Sequence, residues 1–187
     1  METKTDKKNY IKYISIFIFC MFVRLLPFRP PNVEPIMATM MPFSKVYGKF
    51  LSFMFGFSSI ILYDIITNKI GIWTLITGLA YGLLAIYAVS FFRKRKQNRI
   101  NYVYFAIIGT IFYDIITGLT VGPLFFHQPF MAALIGQIPF TLLHLVGNIS
   151  FAFFLSPIIY QYIILNKKFE KKFTEFNFGE LLTLKKI

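Results

Sequence analysis

The chain has 187 residues, 56% of them hydrophobic and 19% aromatic, with 15% charged and a formal net charge of +12. Its charges fall in short blocks between long uncharged runs, which argues against a soluble domain and for an integral membrane protein. The Lys and Arg residues sit at the ends of apolar runs, where membrane-flanking charge belongs, so no nucleic-acid partner is expected.

The N-terminus, "METKTDKKNYIKYISIFIFCMFVRLL", has the basic start and apolar middle of a signal peptide but no small-x-small cleavage site. It reads as an uncleaved first helix, about Tyr10 to Leu26, stopped by Pro27. The lone cysteine, Cys20, excludes an intrachain disulfide and a Cys-based metal site. "FRPPNVEP" (28–35) is a rigid non-helical link, because its prolines lack donors and restrict their neighbours. Helix 2 follows at about Ile36 to Ser44, interrupted by Pro42 and short enough to be re-entrant. Helix 3 covers about Tyr47 to Ile66 and helix 4 about Ile70 to Phe92. The block "RKRKQNR" (93–99) leads to helix 5, about Tyr102 to Thr117. A loop, "GLTVGPLFFHQP", precedes helix 6, about Phe130 to Leu165, with kinks expected at Pro139 and Pro157. The fold class is therefore an all-α integral membrane protein with six transmembrane helices. Residues 1–9 form a basic N-terminal segment, 10–165 the membrane domain and 166–187 a charged tail.

Six crossings put both termini on one side. Of the 20 Lys and Arg residues, that side then holds 17, and the other holds only Arg24, Arg29 and Lys69. The positive-inside rule makes the termini, tail and 93–99 loop cytoplasmic, in a multi-pass protein of the cell membrane.

"YDIIT" occurs at Tyr63–Thr67 and again at Tyr113–Thr117. Asp64 and Asp114 therefore lie at one level, near the outer ends of helices 3 and 5. A carboxylate in an apolar run needs partners. Each Asp could bond backbone donors where the next segment begins, or contact a solute. A proton relay lacks the ladder of acids it would need. The flanks separate the two: "NKIGIW" places Lys69 where it can neutralise Asp64, whereas no fixed cation follows Asp114. Asp64 is thus expected to be mainly structural, and Asp114 to be the ligand contact.

Other polar residues gather at the outer level: Asn32 and Glu34 in the proline-rich link, Trp73 and Thr74 at the start of helix 4, and His127 and Gln128 in the last loop. On helix 6, Gln137, Thr141, His144 and Asn148 fall within about 60° of arc at 100° per residue, one polar stripe. Such a stripe suits a water- or ligand-filled cavity. The expected solute-binding set is Asn32, Glu34, Trp73, Asp114, His127, Gln137, Thr141, His144 and Asn148. Gly48, Ser52, Gly56 and Ser59 on helix 3, and Thr74, Gly78 and Gly82 on helix 4, read instead as close-packing seams.

No nucleotide-binding loop, nucleophile elbow, His-Glu-x-x-His motif or adjacent Ser/His/Asp set is present. His127 and His144 are too few and too separated for a metal site. No metal, no cofactor and no catalytic residue is expected.

"RLLPFRPPNVEP" (24–35) is similar to the outer link of some small six-helix membrane proteins. "FGFSSIILYDIITNKIGIWTLITGLAYGL" (55–83) resembles the helix 3–4 region of substrate-specific S components of energy-coupling factor (ECF) transporters. Gly56, Asp64, Gly71, Trp73, Thr74, Tyr81, Gly82 and Leu83 carry the likeness. The resemblance implies a vitamin-like micronutrient bound near the outer face. It also implies a transmembrane coupling protein and cytoplasmic ATPases as partners, with the solute and the lipid bilayer as the other contacts. Helix 1 departs from the family's small-faced docking helix, being bulky apart from Ser15 and Cys20. Two other classes are consistent with the residues: a multispan scaffold, as in cell-wall synthesis, and an uncharacterised membrane enzyme. The polar stripe on helix 6 favours the solute-binding reading over the scaffold.

Overall fold

Helix α1 (Lys4–Leu25) begins well before the apolar run, so most of the basic N-terminal segment is its first turns. The computed structural model describes residues 4–28 and 32–166, with side chains from residue 10 onward. Arg29 and the tail from Lys167, both part of the charge count above, lie outside the described residues. The other helices are α2 (Ile36–Ile66), α3 (Ile72–Arg93), α4 (Arg99–Gly118), the short α5 (Val121–Phe125) and α6 (Phe130–Ile159). A π-helical turn, Tyr160–Ile164, extends α6 just after Pro157, whose missing N–H disturbs the regular ladder. No strand occurs among the described residues.

Four stretches are long and apolar enough to cross a membrane: Ile36–Ile66, Ile72–Arg93, Arg99–Phe125 and Phe130–Ile164. Isoleucine, leucine and phenylalanine side chains such as Leu62, Leu83, Ile111 and Phe154 are exposed along their outer faces. Apolar surface on that scale belongs in lipid. The chain is a multi-pass α-helical membrane protein.

The first of those four stretches is folded, not straight. Gly48 has φ 74° and ψ −177°, a conformation that only glycine adopts readily. The rings of Phe43 and Phe55 lie 4.5 Å apart, although 12 residues of straight helix would separate them by about 18 Å. Thus α2 is a helical hairpin, with arms at residues 36–47 and 49–66. These arms are the expected helices 2 and 3. The first arm is short because it is the centre of the bundle: Ile36 to Met41, Phe43 and Ser44 are all 0% exposed. Neighbouring helices meet it closely, with the Ser156 hydroxyl donating to the Ala38 carbonyl at 2.8 Å. A Cβ on Gly109 would come within 3.1 Å of the Met37 sulfur.

Helix α3 lies along the second arm of α2. A Cβ on Gly56 would stand 2.5 Å from the Tyr81 carbonyl oxygen, and Gly78 and Gly82 receive Phe57 and Phe53. Gly56, Gly78 and Gly82 therefore all lie in the α2–α3 contact, Gly56 against backbone and the other two against rings.

Helices α4 and α6 pair antiparallel through polar groups. Asn148 donates to the Thr110 hydroxyl at 2.8 Å, His144 meets Asp114 at 2.8 Å, and Gln137 packs over Gly118. Spacings of four along α4 thus match the stripe on α6, because both recur near the helical period.

Antiparallel packing gives the bundle two unlike ends. At one, the Lys12 ammonium donates to the Ile164 carbonyl at 2.9 Å, and the rings of Tyr13 and Tyr47 lie 5.6 Å apart beside the Gly48 turn. Arg99 lies over Phe153 near that end. The lysines and arginines of the described chain gather there, except Arg24 and Lys69. At the other end meet the ends of α1, of the second arm of α2 and of α4, and the starts of α3 and α6.

Candidate functional site

The repeated pentapeptide organises this second end. In both copies the threonine hydroxyl turns back along its helix: Thr67 donates to the Tyr63 carbonyl at 2.8 Å and Thr117 to that of Tyr113 at 2.9 Å. The two tyrosines and Asp64 then reach one cavity, of about 200 Å³.

Asp64 is held by the start of α3. Thr74 donates its hydroxyl to Asp64 Oδ2 at 2.5 Å and accepts the Gly71 amide at 3.1 Å. One threonine thereby caps α3 and ties it to α2. Lys69 is exposed and makes no ion pair with Asp64; its backbone amide donates to the Asp64 carbonyl at 2.8 Å instead. The expected neutralisation does not form, because the tight turn points the lysine stem outward while threonine takes the carboxylate.

Arg24 is the cation that sequence reasoning placed only as an orientation marker. It is 3% exposed and lines the cavity. Its guanidinium donates to the Ser59 carbonyl, pairs with Glu34 Oε1 at 3.3 Å, and lies 4.1 Å from the centre of the Tyr63 ring. Glu34 lies ten residues on and returns to it in the fold, which the spacing alone does not show. Asn32, at φ 62°, takes the left-handed turn that returns the chain, which asparagine tolerates better than most residues.

Aromatic rings make the walls. Tyr81 and Tyr113 lie 4.4 Å apart, Tyr113 stands edge-on to His144 at 5.6 Å, and Phe140 approaches His144 at 5.8 Å. The Tyr81 hydroxyl is buried with no hydrogen-bond partner among the described residues. Tyr113 and Phe140 are not among the expected binding residues, since nothing in their spacing distinguishes a cavity wall from a lipid-facing or packing ring.

Of the expected solute-binding residues, Asn32, Glu34, Trp73 and His144 line this cavity. Asp114 touches it only through His144. Together with Gln137 and Thr141 it lines a separate, mostly apolar crevice of about 270 Å³ between α4 and α6. Gln137 donates to Thr141 at 3.2 Å. Asn148 is enclosed between α4 and α6, and His127 is exposed in the loop after α5. The polar stripe of α6 therefore serves mainly as the seam with α4. Asp64, expected to be structural, is both tied to Thr74 and part of the cavity wall. No group of three or more His, Cys, Asp or Glu able to hold a metal occurs among the described residues.

Comparison of the chain with protein-family models, with curated proteins and with solved structures returns no match.

Proposed function

We propose that the chain is a membrane-embedded solute-binding subunit, taking up a vitamin-like micronutrient in the manner of an ECF-type S component. The observation that supports it most is the cavity at the weakly basic end of the bundle. That cavity encloses a buried arginine, two carboxylates, a histidine and five aromatic rings. A packing scaffold gains nothing from burying such groups around a void, since each costs desolvation energy. In this reading the basic end faces the cytoplasm, by the positive-inside rule, and the cavity opens outward. Binding alone cannot concentrate a scarce solute, so uptake needs an energy source. The sequence carries no nucleotide loop, and separate ATPase subunits with a transmembrane coupling protein would supply it. The chain itself then has no catalytic role.

Mass spectrometry of small molecules that co-purify with the detergent-solubilised protein tests the reading. One solute should recur in stoichiometric amount and disappear in the Tyr81→Trp variant, which fills the cavity. Uptake of that solute in a host lacking every coupling subunit would overturn the proposed division of labour.

A further inference from the structure

The lining chemistry narrows what the cavity can hold, if it is a solute site as proposed above. We infer that its occupant is a compact organic cation.

Arg24 is the one fixed cation among the described lining residues, and its charge is already engaged. Its guanidinium is stacked on Tyr63, bonded to the Ser59 carbonyl and paired with Glu34 at 3.3 Å. Asp64 has no such match. The partner of its Oδ2 is the neutral hydroxyl of Thr74. One negative charge on the cavity wall is left without a cation.

His144 adds no unmatched positive charge. Its Nδ1 lies 2.8 Å from Asp114 Oδ1, so that carboxylate already answers the ring where it lines the cavity. The walls add four more aromatic residues, Trp73, Tyr81, Tyr113 and Phe140, and aromatic surroundings favour cations over anions. An anion here would meet Asp64 and ring faces, and find the guanidinium occupied. A neutral solute would leave Asp64 unmatched. Volume sets the size: about 200 Å³ is below the roughly 300–1,000 Å³ of drug-sized sites.

Trp73 is the only tryptophan and lines the cavity, so its fluorescence reports occupancy of the unlabelled full chain. Choline, 3,3-dimethylbutanol and 3,3-dimethylbutyrate offer nearly one shape as cation, neutral and anion. Choline should bind at least about tenfold more tightly than either shape-mate, the scale of a cation meeting aromatic faces out of water. Asp64→Asn should remove that preference. If this variant fails to fold, the order of the three probes on the unaltered protein still decides. Equal binding of all three, or tighter binding of the anion, overturns charge selection and leaves the solute site standing. No Trp73 response to any of them overturns the cavity as a solute site, and this inference with it.

Discussion

His144 Nδ1 lies 2.8 Å from Asp114 Oδ1, with the two side chains 3% and 2% exposed. The second carboxylate oxygen of Asp114 has no partner among the described residues. A carboxylate so enclosed depends on its one strong hydrogen bond, and a histidine so oriented depends on the carboxylate. Each is the other's means of being buried, and together they fix α4 against α6.

Removing both members should therefore cost less than the two single losses added together. Asp114→Ala or His144→Ala alone should lower stability in detergent by about 1–3 kcal/mol, the penalty of a stranded buried polar group. The double variant should lose clearly less than the sum. Strict additivity in thermal or denaturant unfolding would show that the pair is not coupled.

Much of this arrangement was legible in the sequence, and the limits have physical causes. Helix ends and the level of the two aspartates follow from proline, glycine and charge positions, which act locally. The contrast drawn from the flanks of Asp64 and Asp114 does not carry over: Lys69 does not meet Asp64, and it is Asp64, not Asp114, that lines the cavity. Thr74 and His144 are selected by which helices touch, a tertiary outcome that periodicity does not encode. Arg24 was read as a flanking charge because only the folded link shows that Glu34 returns to it. The stripe on α6 was recognised as polar, yet a polar stripe facing water and one facing Thr110 and Asp114 look alike in sequence.

Gly48 reads in the sequence as one of four small residues on a packing face, and the structure gives it another task. Its φ of 74° with extended ψ reverses the chain between the arms of α2, and a Cβ there would meet nothing within 4 Å. Space is available; the backbone conformation is the obstacle. Gly48→Ala should cost about 1–3 kcal/mol through strain alone. An unchanged melting temperature in detergent would mean that the turn does not need glycine.

Gly56 and Gly136 make a matched contrast. A Cβ on Gly56 would be 2.5 Å from the Tyr81 carbonyl oxygen, so Gly56→Ala forces α2 and α3 apart and should cost about 1–3 kcal/mol. Nothing lies within 4 Å of a Cβ on Gly136, so Gly136→Ala should be neutral, or stabilise by up to about 1 kcal/mol through helix propensity. Parallel melting of the two variants checks this. Equal losses would contradict the α2–α3 seam.

Orientation follows from which end carries the basic residues. In a Cys20→Ser background, a cysteine at Asn98 should react with a membrane-impermeant maleimide only in inverted vesicles, while one at Asn68 should react in intact cells. Both positions are exposed in the structure. The reverse pattern would place the cavity on the cytoplasmic side and remove uptake from outside as its role.

The ion pair of buried Arg24 with part-buried Glu34 yields the sharpest separation of charge from shape. Arg24 is 3% exposed and its side chain meets a carbonyl, a carboxylate and a ring at once. Breaking the pair from one side strands charge, but Glu34 is 19% exposed and has other contacts, so the cost should fall below the scale of a fully buried pair, about 3–5 kcal/mol. Replacing both members by uncharged groups of similar volume removes that penalty. Arg24→Met should thus destabilise, while Arg24→Met with Glu34→Gln should recover most of the loss. Arg24→Lys should recover little, because an ammonium lacks the planar fork that reaches Ser59 and Glu34 while lying over Tyr63. Unfolding in detergent measures all three. If the double variant is no more stable than Arg24→Met, the guanidinium is held by its stacking and its bond to Ser59, and Glu34 is not its counter-charge.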